Sequence, residues 1–229
     1  MTYGTMTIDY TINYSNRRTL GIAVYPDGTI RIKAPVGTPI SKIEEKVGKR
    51  AAWIVRQQRY FDSFDKNIPK RRYINGESHW YLGRQYRLYV KKGKPNSVSF
   101  NGHCFEVVCT SQSKAESVMK EWYRMRAKVK FSEIAEPIIQ RFNKRYGVEP
   151  ELFRIQAMEN RWGSCTPKGK IILNIELIKT PKPCIEYVIT HEMCHLLHKN
   201  HTKAFYALLQ TEMPDWERWK SWLEKTVRR

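Results

Sequence analysis

Alternating apolar and polar residues open the chain. "MTIDYTINYS" and "TLGIAVY" switch faces at nearly every residue, and "PDG" (26–28) turns the second into "TIRIKAP", the pattern of half-buried strands joined by tight turns. After Pro39 the period lengthens, and "SKIEEKVGKRAAWIVRQQRYFDSF" (41–64) predicts a helix. Short alternating stretches follow at "HWYLG", "QYRLYVKK", "SVSF" and "CFEVV", with Asn101-Gly102 as a hairpin signal between the last two. The aromatic residues Trp80, Tyr81, Tyr86 and Tyr89 share this alternation and read as a half-buried sheet. A long helical stretch covers about 113–146, with Pro137 as the expected kink and Gly147 as the stop. "LFRIQAM" (152–158) and "GKIILNIEL" (169–177) predict two more strands around the loop "ENRWGSCTPKG". Three helices close the chain: one through 184–198, one carrying "KAFYALLQTEM", and one over 216–225 whose Trp216, Trp219 and Trp222 are expected to pack on the core. The order predicts an α+β fold, with a β-rich N-terminal region containing one helix (1–111) and a second domain (112–229).

The helix near 190 holds unusual chemistry. "VITHEMCHLLHKNH" (188–201) contains four of the six histidines and one glutamate among them. Residues four apart in a helix lie about 40° apart around the axis and about 6 Å along it, so His191 and His195 project side by side. Glu192 follows the first of them and lies beside a shared ion rather than on it. This is the H-E-x-x-H arrangement, in which two imidazoles hold zinc and the glutamate takes a proton from the attacking water. A catalytic zinc needs a third protein ligand, and three residues compete for the place. His198 lies about 10 Å along the axis from His191 if the helix continues. His201 becomes available if the helix ends first, for which Asn200 in a left-handed conformation offers a means. Glu212 on the next helix is the third option. His201 ranks first.

Composition narrows the setting. No run of about 18 apolar residues exists to span a membrane, and the N-terminus lacks the basic-then-apolar layout of a signal peptide. Five scattered cysteines suit a reducing cytoplasm better than a disulfide framework; Cys104 and Cys109 read as strand residues, and Cys165 and Cys194 as buried thiols. The charge is less ordinary: 41 basic against 22 acidic residues give a net +19. Clusters at "KRR" (70–72), "KKGK" (91–94, expected in a hairpin loop) and "RMRAKVK" (124–130) could attract nucleic acid or nucleotides.

"RWGSC" (161–165), "GKIILN" (169–174) and "YVITHEMCHLLHKNHTKAF" (187–205), in this order, resemble the YgjP-like metallopeptidase family, which is related to the SprT-like and small gluzincin-like zinc proteases. The likeness extends into the β-rich half. It implies a zincin-like core, a zinc cofactor and a hydrolase acting on peptide or protein substrates, with Glu192 as the catalytic glutamate. It also favours His201 as the third ligand beside His191 and His195. Where metzincins carry a glycine between the second and third histidines this chain has His198, which argues against a metzincin assignment. Two neighbouring functions come with the resemblance: nucleoside-triphosphate pyrophosphatase activity on the same scaffold, and DNA-associated proteolysis of the SprT-like kind.

Around the metal, "GKIILNIEL" is expected to be the sheet edge that aligns a peptide by main-chain hydrogen bonds. Asn174 on it, and Arg161 and Ser164 in "RWGSC", are candidate substrate-binding residues. Tyr187, Tyr206 and His198 are candidate oxyanion donors.

Overall fold

A computed structural model describes residues 2–3, 6–25, 28–62, 71–158 and 161–226. The expected turn at 26–28, the end of the first helix at 63–64, Lys70 of the "KRR" cluster and "EN" (159–160) fall wholly or partly outside these residues. The chain divides into two compact units at 69/70.

The N-terminal unit begins with β1 (Thr2–Tyr3) and β2 (Met6–Thr7), which pair with each other. Then come β3 (Thr11–Ser15), β4 (Gly21–Val24), β5 (Ile30–Pro35) and α1 (Ile40–Asp62). The sheet order is β3-β5-β4, with β5 parallel to β3 and antiparallel to β4. Alternation puts Ile30, Ile32 and Ala34 on one face, where they meet Ile43, Val47, Ala51 and Ile54 of α1 in a separate small core.

The C-terminal unit begins with a second sheet of β6 (Ser78–Tyr81), β7 (Arg84–Lys92), β8 (Ser97–Phe100) and β9 (Cys104–Cys109), ordered β6-β7-β9-β8. The Asn101 side chain accepts from the His103 and Cys104 amides and closes the β8–β9 hairpin. "KKGK" is not a hairpin loop: β7 and β9 run parallel, so Lys91 and Lys92 end β7 and the chain crosses to β8 on the far side of β9. The long helix is α2 (Ala115–Tyr146), preceded by a 3-10 turn at Gln112–Lys114; it runs through Pro137 and ends on Gly147 at φ 67°, the left-handed cap expected there.

The contact boundary at 69/70 differs from the 111/112 expected from the sequence, and the reason is packing. Tyr81, Leu88 and Phe105 of the second sheet share one core with Met119, Tyr123 and Phe131 of α2. A β-rich stretch read along the chain thus supplies two sheets to two different cores.

A third sheet follows the long helix: β10 (Leu152–Gln156), β11 (Gly163–Cys165) and β12 (Lys170–Asn174), ordered β10-β12-β11. The apolar tail of "GKIILNIEL" leaves the strand as a 3-10 turn, Ile175–Lys179. The helices α3 (Lys182–Leu197), α4 (Lys203–Glu212) and α5 (Trp216–Thr226) follow. Trp216 is buried, and Trp219 and Trp222 pack against the same core. The start of α3 is fixed by the β6–β7 turn, whose Leu82 and Gly83 amides donate to the carbonyls of Ile178 and Lys179. A side chain at Gly83 would meet Pro181 at 2.7 Å, so this docking needs a glycine.

Candidate metal centre

The helix α3 is apolar on almost every side, because it is covered by α2, α4, α5 and the third sheet. His191 and His195 stand one turn apart on its least covered stripe, ring centroids 5.0 Å apart. The helix stops at Leu197 because His198 turns extended, φ −125°, with its amide still bonded to the Cys194 carbonyl. The expected left-handed Asn200 is not the device: Tyr73 and Leu82 are the described non-glycine residues with positive φ.

The early stop brings His201 back. Thr202 caps α4 by accepting from the Phe205 amide, and Phe205, fully buried, lies 4.9, 4.7 and 4.7 Å from the rings of His191, His195 and His201. One phenyl ring is the floor under all three imidazoles.

Four features bear on whether these residues could hold a metal. Their candidate ligand atoms all lie within 4.8 Å of one another. The Nε2 atoms of His191 and His201 are 3.0 Å apart, close to the roughly 3.3 Å that separates nitrogen ligands about 2.0–2.1 Å from one tetrahedral zinc. His195 Nδ1 lies 3.0 Å from the His198 carbonyl; a carbonyl only accepts, so Nδ1 carries the proton and the Nε2 lone pair is free. Burial, with His195, His201 and Lys220 nearby, pushes His191 down to about 3, and burial with His195 and Lys220 lowers His201. Three imidazoles converging on one point fit a divalent ion, and burial favours in His191 and His201 the neutral form that binds one.

Of the rival third ligands, Glu212 is engaged elsewhere, its carboxylate bonded to Arg141, Arg145 and Tyr146. His198 contributes its carbonyl.

Glu192 faces β11 and is 6% exposed. Burial raises its carboxyl to about 7, against the opposing effects of a hydrogen bond from the Cys165 amide and the charge of Arg161. The strand and the helix approach so closely that a side chain at Gly163 would lie 2.7 Å from Glu192 Oε1 and 2.7 Å from Val188 Cγ1. That contact explains the glycine of "RWGSC".

The site opens on a cleft of about 490 Å³ lined by Arg161, Ser164 and Lys199 together with the three histidines and Glu192. The expected edge strand needs correcting. β12 is paired on both sides and lies in the centre of its sheet; β11 is the edge that borders the cleft. The Trp162 carbonyl and the Thr166 amide point at β12, so by alternation Gly163 and Cys165 turn their main-chain groups away from it. Asn174 is corrected as well. It is 4% exposed, donates to the Met158 and Arg161 carbonyls and accepts from the Glu176 amide, so it braces the loop behind β11 rather than lining the cleft.

Among the oxyanion candidates, Tyr187 is buried against His191 and Trp216, and Tyr206 stacks on His201 at a ring distance of 6.0 Å. All five cysteines are free, and burial, with Glu192 and Glu212 respectively, pushes Cys165 up to about 11 and Cys194 up to about 12, which leaves both protonated and unreactive near neutrality. Sequence reasoning missed Phe205, Gly163 and the Cys165 amide. Only the glycine left a signal, in its place beside Trp162.

The model of the YgjP-like metallopeptidase domain matches residues 18–226. The chain belongs to the YgjP-like family. The metallopeptidase domain makes it a metal-dependent hydrolase. Among solved structures, the metallopeptidase zymogen of Pyrococcus abyssi abylysin is 17% identical, with 42% of this chain and 97% of that one aligned and a TM-score of 0.36. No curated protein matches. No described helix of this YgjP-like chain is long and apolar enough to cross a membrane.

Proposed function

We propose that this YgjP-like chain is a zinc peptidase that cleaves peptide bonds with Glu192 as general base. The observation that carries the reading is the carboxylate of Glu192 buried beside three converging imidazoles, in a cleft bordered by a free strand edge. His191, His195 and His201 would hold the ion. A bound zinc supplies Lewis acidity, making water acidic near neutrality and polarising a carbonyl. Gly163 and the Cys165 carbonyl offer main-chain groups to an extended peptide, which aligns as an added strand. The Cys165 amide holds the Glu192 carboxylate in place, and Glu192 takes a proton from the attacking water and returns it to the leaving amine.

A second reading is hydrolysis of a nucleoside triphosphate, favoured by Arg161 and Lys199, two cations lining the cleft. DNA-stimulated proteolysis of the SprT-like kind is a variant of the first. Zinc-loaded protein is assayed on a mixed peptide library and on nucleoside triphosphates, with and without DNA, and a chelated sample is the blank. Peptide cleavage that stops on chelation is the expected result. Turnover of nucleotides alone would replace the peptidase reading with the second.

A further inference from the structure

The N-terminal unit contains a concavity of about 390 Å³ that shares no residue with the metal cleft. Its walls come from α1 and from β4, the edge strand of the first sheet. Lys46, Arg50 and Trp53 follow one another at spacings of four and three along α1 and so form one stripe, with Lys49 beside it. The neighbouring stripe, Ile43, Val47, Ala51 and Ile54, is the one buried on the sheet. Leu20 and Ile22 of the β4 segment complete the recess.

No carboxylate lines it. Lys49 is bonded to Glu45 at 2.5 Å in an exposed pair, an interaction that water screens and a ligand can replace at small cost. Lys46 and Arg50 form no salt bridge among the described residues, and Lys46 meets the same exposed Glu45 only through its field. Trp53 is 36% exposed and lines the recess together with these cations.

We propose that this recess binds single-stranded nucleic acid, with phosphates on Lys46, Lys49 and Arg50 and a base stacked on Trp53. Three cations that share one exposed carboxylate, beside a partly exposed indole, are what a single strand needs, since its bases are free to stack while its backbone follows the charge. A duplex hides its bases. An acidic peptide brings charge without necessarily bringing a flat ring. A bilayer calls for protruding apolar side chains, whereas Leu20 and Ile22 line a hollow. The proposal is independent of the chemistry at the metal centre.

The test is fluorescence anisotropy of labelled twelve-nucleotide oligo-dT and oligo-U, and of a twelve-base-pair duplex, with the full chain. Single strands should bind at 50 mM salt and weaken roughly 20-fold by 200 mM if three phosphates are engaged. K46E/R50E should weaken binding at least about tenfold and reduce the salt slope by about 1.4. Trp53→Ala should cost about tenfold and Trp53→Phe much less, with melting temperatures near that of the parent protein as the folding control. Duplex binding should be weaker and indifferent to Trp53, and K91E/K92E/K94E should change single-strand binding less than about threefold. The proposal is overturned by no single-strand binding at 50 mM salt, by equal losses in the Lys91 triple variant, or by a Trp53→Ala protein that binds normally. Competition by polyglutamate equal to that by oligo-dT at matched charge would also overturn it, and would make the recess a general anion surface.

Discussion

Among the described residues of the C-terminal unit two glutamates are buried, Glu192 on α3 and Glu212 at the end of α4, 6% and 8% exposed. The Glu212 carboxylate receives Arg141 Nε at 2.7 Å, Arg145 Nη1 at 2.8 Å and the Tyr146 hydroxyl at 2.8 Å. Burial alone would raise its pKa, but these three donors hold it below the usual value. Glu192 has the Cys165 amide and the field of Arg161, and burial prevails. The first carboxylate is a fixed charge that ties α4 to α2. The second is left with few partners beside the imidazole cluster, where it can exchange a proton. Burial alone does not fix the charge of a carboxyl group; the count of donors around it does.

The largest effect that would test this contrast is at Glu192. Glu192→Gln keeps the shape but cannot accept a proton, so kcat/KM on whatever peptide is cleaved should fall by about 10³–10⁴-fold. Metal content by elemental analysis and the thermal midpoint should stay near those of the parent protein. Undiminished turnover would take Glu192 out of the reaction.

Removing an imidazole comes next. His201→Ala should lower zinc affinity by more than the 10–100-fold typical of losing a residue that only orients a ligand, measured by competition with a chromogenic chelator. His198→Ala should change affinity little, since His198 meets His195 through its carbonyl. Zinc loss in Glu212→Ala but not in His201→Ala would reverse the assignment.

Glu212→Ala should instead cost stability, about 3 kcal/mol in urea unfolding, because it leaves two guanidinium groups without their buried partner. Both arginines reach water, at 37% and 53% side-chain exposure, which keeps the loss at the lower end for a buried pair. The pH dependence follows in sign. Glu212 titrates below its ordinary 4.5 in the folded state, so its contribution is complete above that value and disappears as pH falls through the folded pKa. Glu212→Gln should therefore flatten the acid limb of the stability curve, and an unchanged limb would show that other carboxylates set it.

The smallest change is Gly163→Ala. The new methyl group meets Glu192 and Val188, so overpacking should cost about 1–3 kcal/mol and lower kcat more than it raises KM. Normal activity with normal stability would mean that β11 can move away from α3 without consequence.

Much of this protein was legible along the chain because it rests on local periods. The spacing of His191 and His195, the position of Glu192, the long helix with its Gly147 stop and the inward tryptophans of α5 follow from 3.6-residue geometry and cap chemistry. What lay beyond the sequence depends on partners distant along the chain. Whether His198, His201 or Glu212 stands nearest the other two histidines was decided by where α3 breaks, by Phe205 beneath the rings, and by α2 arginines that engage Glu212 from 67 and 71 residues away. Strand order made β11 the free edge and put β12, more apolar and more strand-like in sequence, at the centre of its sheet. The same pairing tied Asn174 into the loop behind β11. Pattern assigns a residue to a face; which element covers that face is fixed only when the chain has closed on itself, because neither a strand's neighbours nor a carboxylate's donors are encoded in its own spacing.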